Sequence, residues 1–224
     1  MGQPKLLLPW NGQTVIQQVI QAWKSTTVNQ IVVVVRSSDQ ALAKICAAAG
    51  VDLVQPTRDP PDMKASIQHA LRFIAAEAKR RDEPFPDAWL LAPADTPRLS
   101  ARVIEQLLNE YAAAIVRHSS FSDSSFNDSP FNDSPCNDSP SNDSPCNTSP
   151  QPLILVPTFQ GRRGHPVLFS WSLVEEVFAL GEQDGVNRLL QRHAVRELAM
   201  IEPAVIEDLD TPDDYRRLNE GHQS

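Results

Sequence analysis

Apolar positions along the chain follow two different spacings. In residues 14–24 (TVIQQVIQAWK) they recur every three or four positions after a threonine, which predicts an amphipathic helix. The run at 31–35 (IVVVV) is short and wholly apolar, as is typical of a strand buried on both faces. Residues 38–49 predict a second helix that ends at Gly50, and residues 51–54 a second strand. The chain therefore begins as an alternation of helices and strands.

The same alternation continues to the last helix. The remaining elements that the pattern predicts are helices over 63–81, 101–116, 171–180, 185–193 and 210–218, and strands over 88–93, 153–157, 166–169 and 196–201. The last helix carries its own start signal, since Thr211 can cap it, Pro212 suits the first helical position, and the charge of Asp214 favours the positive helix end. This order predicts an α/β fold of three layers, α/β/α, with a mostly parallel sheet.

Residues 121–150 interrupt the alternation with a repeat. They read FSDSS FNDSP FNDSP CNDSP SNDSP CNTSP, which is one degenerate unit followed by five copies of an x-N-(D/T)-S-P motif. A proline every fifth residue blocks helix and sheet alike, and the units have little apolar surface to bury. We therefore predict a single domain over 1–224 with a disordered low-complexity insertion at about 119–151. Because Ser-Pro recurs, a phosphorylated or partner-binding tract is the alternative interpretation.

Composition and charge narrow the class of protein. The 224 residues are 41% hydrophobic and 21% charged, which is enough for one full core. The net charge is −8, and about −3 without the five aspartates of the repeat, so no basic nucleic-acid-binding face is expected. No apolar run approaches the roughly 20 residues that span a bilayer, and no secretory signal opens the chain. Three cysteines without CxxC spacing predict neither a disulfide framework nor a zinc site. We expect a cytoplasmic protein that binds neither nucleic acid nor membrane.

Acidic residues occur where binding sites are expected in such a sheet, beyond the carboxyl ends of its strands. Asp95 follows the predicted strand 88–93, and Asp210 lies in the loop before the last helix, with Asp208 close by. Mg²⁺ is usually held by one or two carboxylates together with substrate phosphates, so these aspartates would suit a bound nucleoside triphosphate. The alternative is that Asp95 caps the next helix and that Asp208 and Asp210 are solvated loop acids.

Five stretches, in order, resemble the signature of the MobA-like nucleotidyltransferase family. MGQPKLLLPWNGQTVI resembles M-G-x-P-K-L-L, PDMKASIQHAL resembles G-M-x-x-S-L-x-x-G-L, and LLAPADTPRLS resembles G-D-x-P-x-L-S. VPTFQGRRGHPVLF is similar to P-x-y-x-G-R-R-G-H-P-V-L-F, and IEDLDTPDDYRRL to the closing D-I-D-T-P-E-D. The matches span nearly the whole chain except the repeat. P-K-L-L-L-P and G-R-R-G-H-P favour the molybdenum cofactor cytidylyltransferase branch over the guanylyl branch.

The resemblance implies a fold, a reaction and partners. The fold would be Rossmann-like, of the nucleotide-diphospho-sugar transferase (GT-A) type. The reaction would be the Mg²⁺-dependent transfer of CMP from CTP to the terminal phosphate of the molybdopterin cofactor, with release of pyrophosphate. The partners would be CTP or another NTP, a molybdopterin-type phosphorylated acceptor and a molybdoenzyme maturation factor.

The same resemblance assigns roles to individual residues. The catalytic residues would be Lys5, Asp95 and Asp210. The nucleotide would be bound by Gly2, Lys5, Met63, Ser66 and Asp95, the metal by Asp95, Asp210 and Asp208, and the acceptor by Arg162, Arg163 and His165. Two non-functional interpretations stay open. Lys5 could be a solvated lysine, and the segment with the two arginines and the histidine could be only a surface turn.

The opening of the chain departs from the family pattern. It lacks a first strand and the L-A-A-G-x-S-x-R half of the phosphate-binding loop. We expect either that the true protein starts further upstream or that the nucleotide site is incomplete. Smaller departures are Asp62 and Ala94, which replace glycines before Met63 and Asp95, and Val186-Asn187 in place of Ala-Arg.

Two other functions remain compatible with these motifs. The same chemistry could serve a sugar, polyol or isoprenoid-precursor phosphate as the acceptor. Alternatively, the incomplete loop marks a catalytically silent nucleotide-binding or scaffolding protein.

Overall fold

The computed structural model describes residues 4–122 and 152–220. These residues form nine strands: β1 (Pro9–Trp10), β2 (Gln13–Thr14), β3 (Val32–Val34), β4 (Asp52–Val54), β5 (Ala88–Leu91), β6 (Ile154–Phe159), β7 (Arg162–Arg163), β8 (Val167–Ser170) and β9 (Val195–Ala199). They also form seven α-helices: α1 (Val15–Lys24), α2 (Gln40–Ala48), α3 (Met63–Arg81), α4 (Ala101–Ser122), α5 (Val174–Phe178), α6 (Asn187–Arg192) and α7 (Pro212–Glu220). Single turns of 3₁₀ helix occur at Lys5–Leu7, Trp171–Leu173 and Pro203–Ile206.

Local capping explains where several helices begin. Thr14 and Gln17 form a capping box at the start of α1, with the Gln17 amide 3.4 Å from the Thr14 hydroxyl and the Thr14 amide 2.9 Å from the Gln17 side chain. At α7 the Asp214 amide donates to the Thr211 hydroxyl at 3.1 Å, and the Asp214 carboxylate accepts from the Thr211 amide. The predicted capping role of Thr211 is therefore confirmed.

The strands form three sheets among the described residues. β1 and β2 make an antiparallel hairpin, and β3 pairs with β4 in parallel. The third sheet is the largest: β8 lies between β5 and β6 and is antiparallel to both, while β9 is parallel to β6 and β7 is antiparallel to it. We call this five-stranded sheet the central sheet.

The predicted three-layer α/β fold is confirmed, but the central sheet is mixed rather than mostly parallel. The cause is the connection between β6 and β8, which consists only of residues 160–166. A parallel strand would need a crossover connection of a dozen or more residues. Because the connection here is shorter, β8 runs antiparallel to β6. Within it, Gln160 and Gly161 both have positive φ, as a two-residue hairpin turn requires.

Helices cover both faces of the central sheet. Ile154 and Val156 of β6 pack in one apolar cluster with residues of α3, α5 and α6, whereas Leu155 packs in another with residues of α4. Because successive side chains of a strand point to opposite faces, these clusters are the two cores of a three-layer domain. The two-residue strands β1, β2 and β7 are additions that the sequence pattern does not predict.

Apolar contacts bring the beginning and the end of the described chain together. Trp10 and Val15 share a buried cluster with Leu209 and Leu218 of the carboxyl-terminal region. The side chains of Leu6 and Leu7 pack against a further cluster built from α1, α2 and β3. The turn at Lys5–Leu7 is thereby fixed beside the loop that precedes α7.

The predicted insertion at 119–151 lies mostly outside the described residues. Helix α4 continues to Ser122 and so enters the first residues of that insertion, while residues 123–151 lie outside the described ranges.

Within residues 4–122 and 152–220, no helix combines the length and the hydrophobicity needed to cross a bilayer.

Candidate functional site

A lysine bridges two aspartates that are far apart in the sequence. The Lys5 ammonium forms an ion pair with Asp95 Oδ2 and lies 3.4 Å from Asp210 Oδ1. Lys5 stands on the amino-terminal turn, Asp95 follows β5, and Asp210 precedes α7. The structure therefore brings together three of the residues singled out in the sequence, and Lys5 is not merely a solvated lysine.

Asp95 is buried, with only 9% of its surface exposed. Its Oδ2 contacts Lys5, but its Oδ1 has no hydrogen-bond partner among the described residues. It does not cap the next helix either, because the Ser100 hydroxyl accepts the hydrogen bond of the Val103 amide at the start of α4. Burying a carboxylate oxygen without a hydrogen-bond partner costs free energy. A further donor or a cation at Asp95 Oδ1 would remove this cost.

Leu209 fixes the aspartates of the second loop. Its side chain is fully buried, and its amide donates to the Asp95 carbonyl at 3.1 Å. Asp208 and Asp210, on either side of it, are exposed. Because the backbone is anchored between them, both carboxylates are held at the carboxyl end of β5.

Charge in this region is unevenly balanced. Burial by itself lowers the pKa of Lys5, but the bond to Asp95 and the two negative charges outweigh it, so that the pKa is raised above its ordinary value. Burial, together with the charges of Asp210 and Asp95, raises the pKa of Asp208. Asp208 therefore feels the negative charges of the other two carboxylates, and no ion pair of its own is seen among the described contacts.

These residues fit a metal ion only in part. Within the described ranges, no group of three or more His, Cys, Asp or Glu side chains is close enough to hold one. Two carboxylates around one positive charge do suit Mg²⁺ or Mn²⁺, whose remaining ligands are commonly water and substrate phosphates. The free Oδ1 of Asp95 points to the same conclusion. The assignment of Asp95, Asp210 and Asp208 as metal ligands stays a prediction.

The predicted nucleotide-binding residues Met63 and Ser66 lie at the beginning of α3. Met63 is the first helical residue and is 67% exposed, and the Ser66 hydroxyl donates to the Asp62 carbonyl at 3.2 Å. Asp62, noted above only as a replacement for glycine, caps α3 by accepting from the Ala65 amide at 2.7 Å. An aspartate three residues before a helical alanine is a signal that sequence reasoning could have used. Gly2 lies outside the described residues.

Of the predicted acceptor-binding residues, His165 is the one placed near the aspartates. Burial lowers the pKa of its imidazole, and the Leu91 carbonyl and the charges of Asp208 and Asp95 only partly offset this. Its Nδ1 is buried without a hydrogen-bond partner among the described residues. A neutral imidazole with a free ring nitrogen is available to a ligand's hydrogen-bonding group.

The segment before His165 is held by a close backbone approach. The His165 amide donates to the Val205 carbonyl at 2.7 Å, and a Cβ on Gly164 would meet that oxygen at 2.0 Å. Only glycine fits there, so the glycine of this motif positions the histidine.

Arg162 and Arg163 are not gathered around the aspartates. Both are exposed on β7, and the Arg163 guanidinium forms an ion pair with Glu197 of β9 at 2.7 Å. Their predicted role in acceptor binding stays a prediction.

Known proteins resemble this chain in sequence and in fold. The family model of the MobA-like NTP transferase domain matches residues 1–125. The crystal structure of Rv0371c from Mycobacterium tuberculosis H37Rv is 25% identical, covers 98% of this chain and 91% of its own, and superposes with a TM-score of 0.68. The same protein in complex with manganese gives a TM-score of 0.66 at 25% identity, covering 98% and 93%.

A more distant structure shares only the fold. The molybdopterin-guanine dinucleotide biosynthesis protein A of Archaeoglobus fulgidus is 16% identical, with a TM-score of 0.59 over 99% of this chain and 92% of its own. No curated protein sequence matches the chain.

Proposed function

Because this chain belongs to the family of MobA-like NTP transferases and is a nucleotidyltransferase, we propose that it moves CMP from CTP to the terminal phosphate of a molybdopterin-type cofactor. Pyrophosphate is the second product, and the reaction takes place in the cytoplasm. The observation that carries the proposal is the Lys5–Asp95–Asp210 cluster at the carboxyl end of β5.

The chemistry asks for positioning and charge neutralisation. An oxygen of the acceptor phosphate attacks the α-phosphorus of CTP, a new P–O bond forms, and the bond to the β-phosphate oxygen breaks with its electron pair leaving on pyrophosphate. Lys5 would turn its ammonium to the α- and β-phosphates, where negative charge accumulates as the bond breaks. Asp95 and Asp210 would hold the divalent cation, which neutralises phosphate charge when it is bound.

Lys5 has to exchange partners in this scheme. In the structure its ammonium contacts both aspartates, which is where a cation would otherwise be held. With a divalent cation held by Asp95 and Asp210, the Lys5 ammonium would be free to turn toward the phosphates. The two carboxylates would then face a doubly charged ion in place of a singly charged ammonium.

Met63 and His165 supply the rest of the site. The exposed Met63 would pack against the base or ribose, since thioethers adapt to flat and irregular apolar surfaces. The buried His165, with Nδ1 free, would accept or donate a hydrogen bond at the acceptor.

The direct test is pyrophosphate release with Mg²⁺, each of the four NTPs and molybdopterin as acceptor. CTP should be turned over in preference to GTP, ATP and UTP. Asp95→Asn and Asp210→Asn should each lower the rate by about 10²-fold or more, because each weakens charge stabilisation of the transition state. Asp213→Asn is the matched control, since Asp213 is an exposed aspartate near Asp210 that pairs only with Arg216 in the described contacts. Equal rates in all three variants would refute the two-aspartate site.

The acceptor is decided in the same assay. Pyrophosphate release with a sugar, polyol or isoprenoid-precursor phosphate, but not with molybdopterin, would mean that the protein is a cytidylyltransferase with that other acceptor. CTP binding in calorimetry without release on any acceptor would indicate a catalytically silent protein.

A further inference from the structure

Two contacts join the loops that carry the candidate aspartates. The Leu209 amide donates to the Asp95 carbonyl at 3.1 Å. Three residues after Asp95, the Arg98 guanidinium forms an ion pair with Glu207, with Nη1 3.2 Å from Oε2. Asp208 stands between Glu207 and Leu209 in the chain, so it has an anchored neighbour on each side.

The Arg98–Glu207 pair is partly shielded from solvent. Its side chains are 28% and 13% exposed, whereas those of the Arg163–Glu197 pair are 54% and 46% exposed. Exposed pairs contribute little because solvent screens them, but breaking a shielded pair leaves a charge without its partner and is costly. The Arg98–Glu207 pair therefore constrains how the two loops lie against each other.

Glu207 extends this contact to helix α7. The Arg98 guanidinium donates to Glu207 Oε1 at 3.4 Å, and the Arg217 guanidinium of α7 lies 4.0 Å from the same oxygen. Arg217 also pairs at 3.1 Å with Asp214, which takes part in the cap of α7. One carboxylate therefore ties the loop after β5 to the helix that follows the second loop.

The spacing of carboxylates decides how well they bind a divalent cation. Mg²⁺ requires near-ideal octahedral geometry with oxygens at about 2.0–2.1 Å, so a small displacement of one carboxylate weakens the site. Replacing a residue that orients the metal ligands, without touching the metal, typically weakens metal affinity by about 10–100-fold. A pair that joins the two aspartate-bearing loops is placed to act in this way.

We propose that Arg98 and Glu207 are positioning residues of this site. Their ion pair holds the loop of Asp95 against the loop of Asp208 and Asp210, and thereby sets the affinity of the carboxylates for a divalent cation. They act through the aspartates and not on the substrate. The consequence for turnover rests on the proposed function, whereas the consequence for the contact between the loops does not.

The first measurement is calorimetric titration of the full chain with Mn²⁺, without nucleotide. Arg98→Met should bind Mn²⁺ about tenfold or more weakly, and Arg98→Lys, which keeps the charge, should lie between it and the unsubstituted chain. Arg196→Met is the matched control and should bind normally, since it removes one of two arginines that share the carboxylate of Glu110 on helix α4. Circular dichroism establishes that each variant is folded, and Arg98→Lys alone carries the comparison if Arg98→Met is not.

A double-mutant cycle tests whether the two residues act together. Glu207→Gln should weaken Mn²⁺ binding to a similar extent as Arg98→Met. The double variant should bind no more weakly than either single variant, because the second substitution has no remaining ion pair to break. Additive losses would mean that the two side chains act independently.

Hydrogen exchange separates positioning from a general loss of stability and needs no metal. The Leu209 amide reports on the contact between the loops, while the Met200 amide, which donates to the Thr158 carbonyl at 2.7 Å, reports on the central sheet. Arg98→Met should speed exchange at Leu209 by about tenfold or more and leave Met200 unchanged. Equal acceleration at both amides would indicate a merely structural pair.

Turnover of CTP gives the last measurement. Arg98→Met should raise the Mg²⁺ concentration at half-maximal rate by about tenfold and largely keep the rate at saturating Mg²⁺. The proposal would be overturned by an unchanged Mn²⁺ affinity in Arg98→Met, by additive losses, by equal acceleration of exchange, or by no Mn²⁺ binding to the unsubstituted chain. Absence of turnover in the unsubstituted chain, with the other results as expected, would refute the proposed function and leave the positioning role standing.

Discussion

Replacing Lys5 by methionine is the most direct perturbation of the site. Methionine keeps a long side chain on the amino-terminal turn but removes the charge that contacts Asp95 and lies 3.4 Å from Asp210. The buried Asp95 would then lose its cation while its Oδ1 already has no partner in the described part of the chain. Both carboxylates would face each other without a positive charge between them.

The expected cost follows from burial. Two unit charges about 4 Å apart attract by about 4 kcal/mol at an effective dielectric constant near 20. The Lys5 side chain is 39% exposed and that of Asp210 is 68% exposed, so solvent screens most of this attraction, and the net worth of such exposed pairs is about 0–1 kcal/mol. Leaving the buried Asp95 unpaired costs about 1–3 kcal/mol. We therefore expect Lys5→Met to lower the free energy of unfolding by about 1–2 kcal/mol.

Two assays measure the consequences. Urea denaturation gives the change in stability, with the exposed Lys44→Met as the control. Calorimetric titration with Mn²⁺, without nucleotide, should show about tenfold tighter binding to Lys5→Met, because the ammonium no longer competes for the carboxylates. Turnover of CTP should nevertheless fall by about 10²-fold, because the phosphates lose their cation. Unchanged stability together with unchanged Mn²⁺ affinity would refute the assignment of Lys5 as the resident cation of the site.

The pH dependence of this contact has a definite sign. The pKa of Lys5 is raised above its ordinary value of 10.5, since bonding to Asp95 outweighs the effect of burial. Its contribution to stability is therefore complete below pH 10.5 and is lost as the pH rises through the higher folded pKa. The unsubstituted protein should lose this increment at alkaline pH, and Lys5→Met should not.

Three further predictions test the supports of the site. Gly164→Ala should lower the free energy of unfolding by about 2–3 kcal/mol, because its Cβ would overlap the Val205 carbonyl, whereas Gly185→Ala, with open space around it, is the control in the same melting assay. Leu209→Ala should lower the free energy of unfolding by about 2–5 kcal/mol in urea denaturation and should also reduce CTP turnover, because this fully buried side chain anchors the aspartate loop. Full activity at reduced stability would argue against that anchoring role. Burial lowers the pKa of His165, so the imidazole takes up its proton in the unfolded chain before it does in the folded chain as the pH falls below 6.5. The free energy of unfolding should therefore decline below that pH in the unsubstituted protein and decline less in His165→Gln. Identical declines would contradict a buried neutral imidazole.

Much of the fold could be predicted because it depends on local spacing. Helix α3 begins and ends where the apolar period places it, over 63–81, and the run 31–35 contains β3. The capping role of Thr211 was visible in four consecutive residues. Periodicity and capping are properties of neighbours in the chain, so sequence is sufficient to find them.

Short strands and sheet direction escaped the pattern. β7 has two residues and exists because it pairs with Thr158 and Phe159 across a two-residue turn. β8 is antiparallel to its neighbours because a short connection precedes it, which the count of strands and helices does not reveal. A ladder of two residues has no period to detect, and its partner decides whether it forms.

The candidate site divides in the same way. The sequence by itself identified the candidate side chains, since the motifs that contain Lys5, Asp95, Asp210 and His165 are each recognisable where they stand. Only the tertiary structure decided that Lys5 contacts residues 90 and 205 positions away, and that Arg163 pairs instead with Glu197. Likewise, only folding shows that Leu209 anchors the aspartate loop to the backbone of Asp95. The physical reason is range: residue type and spacing act within a few positions, whereas a charge pair depends on where the packing of buried clusters places two distant segments.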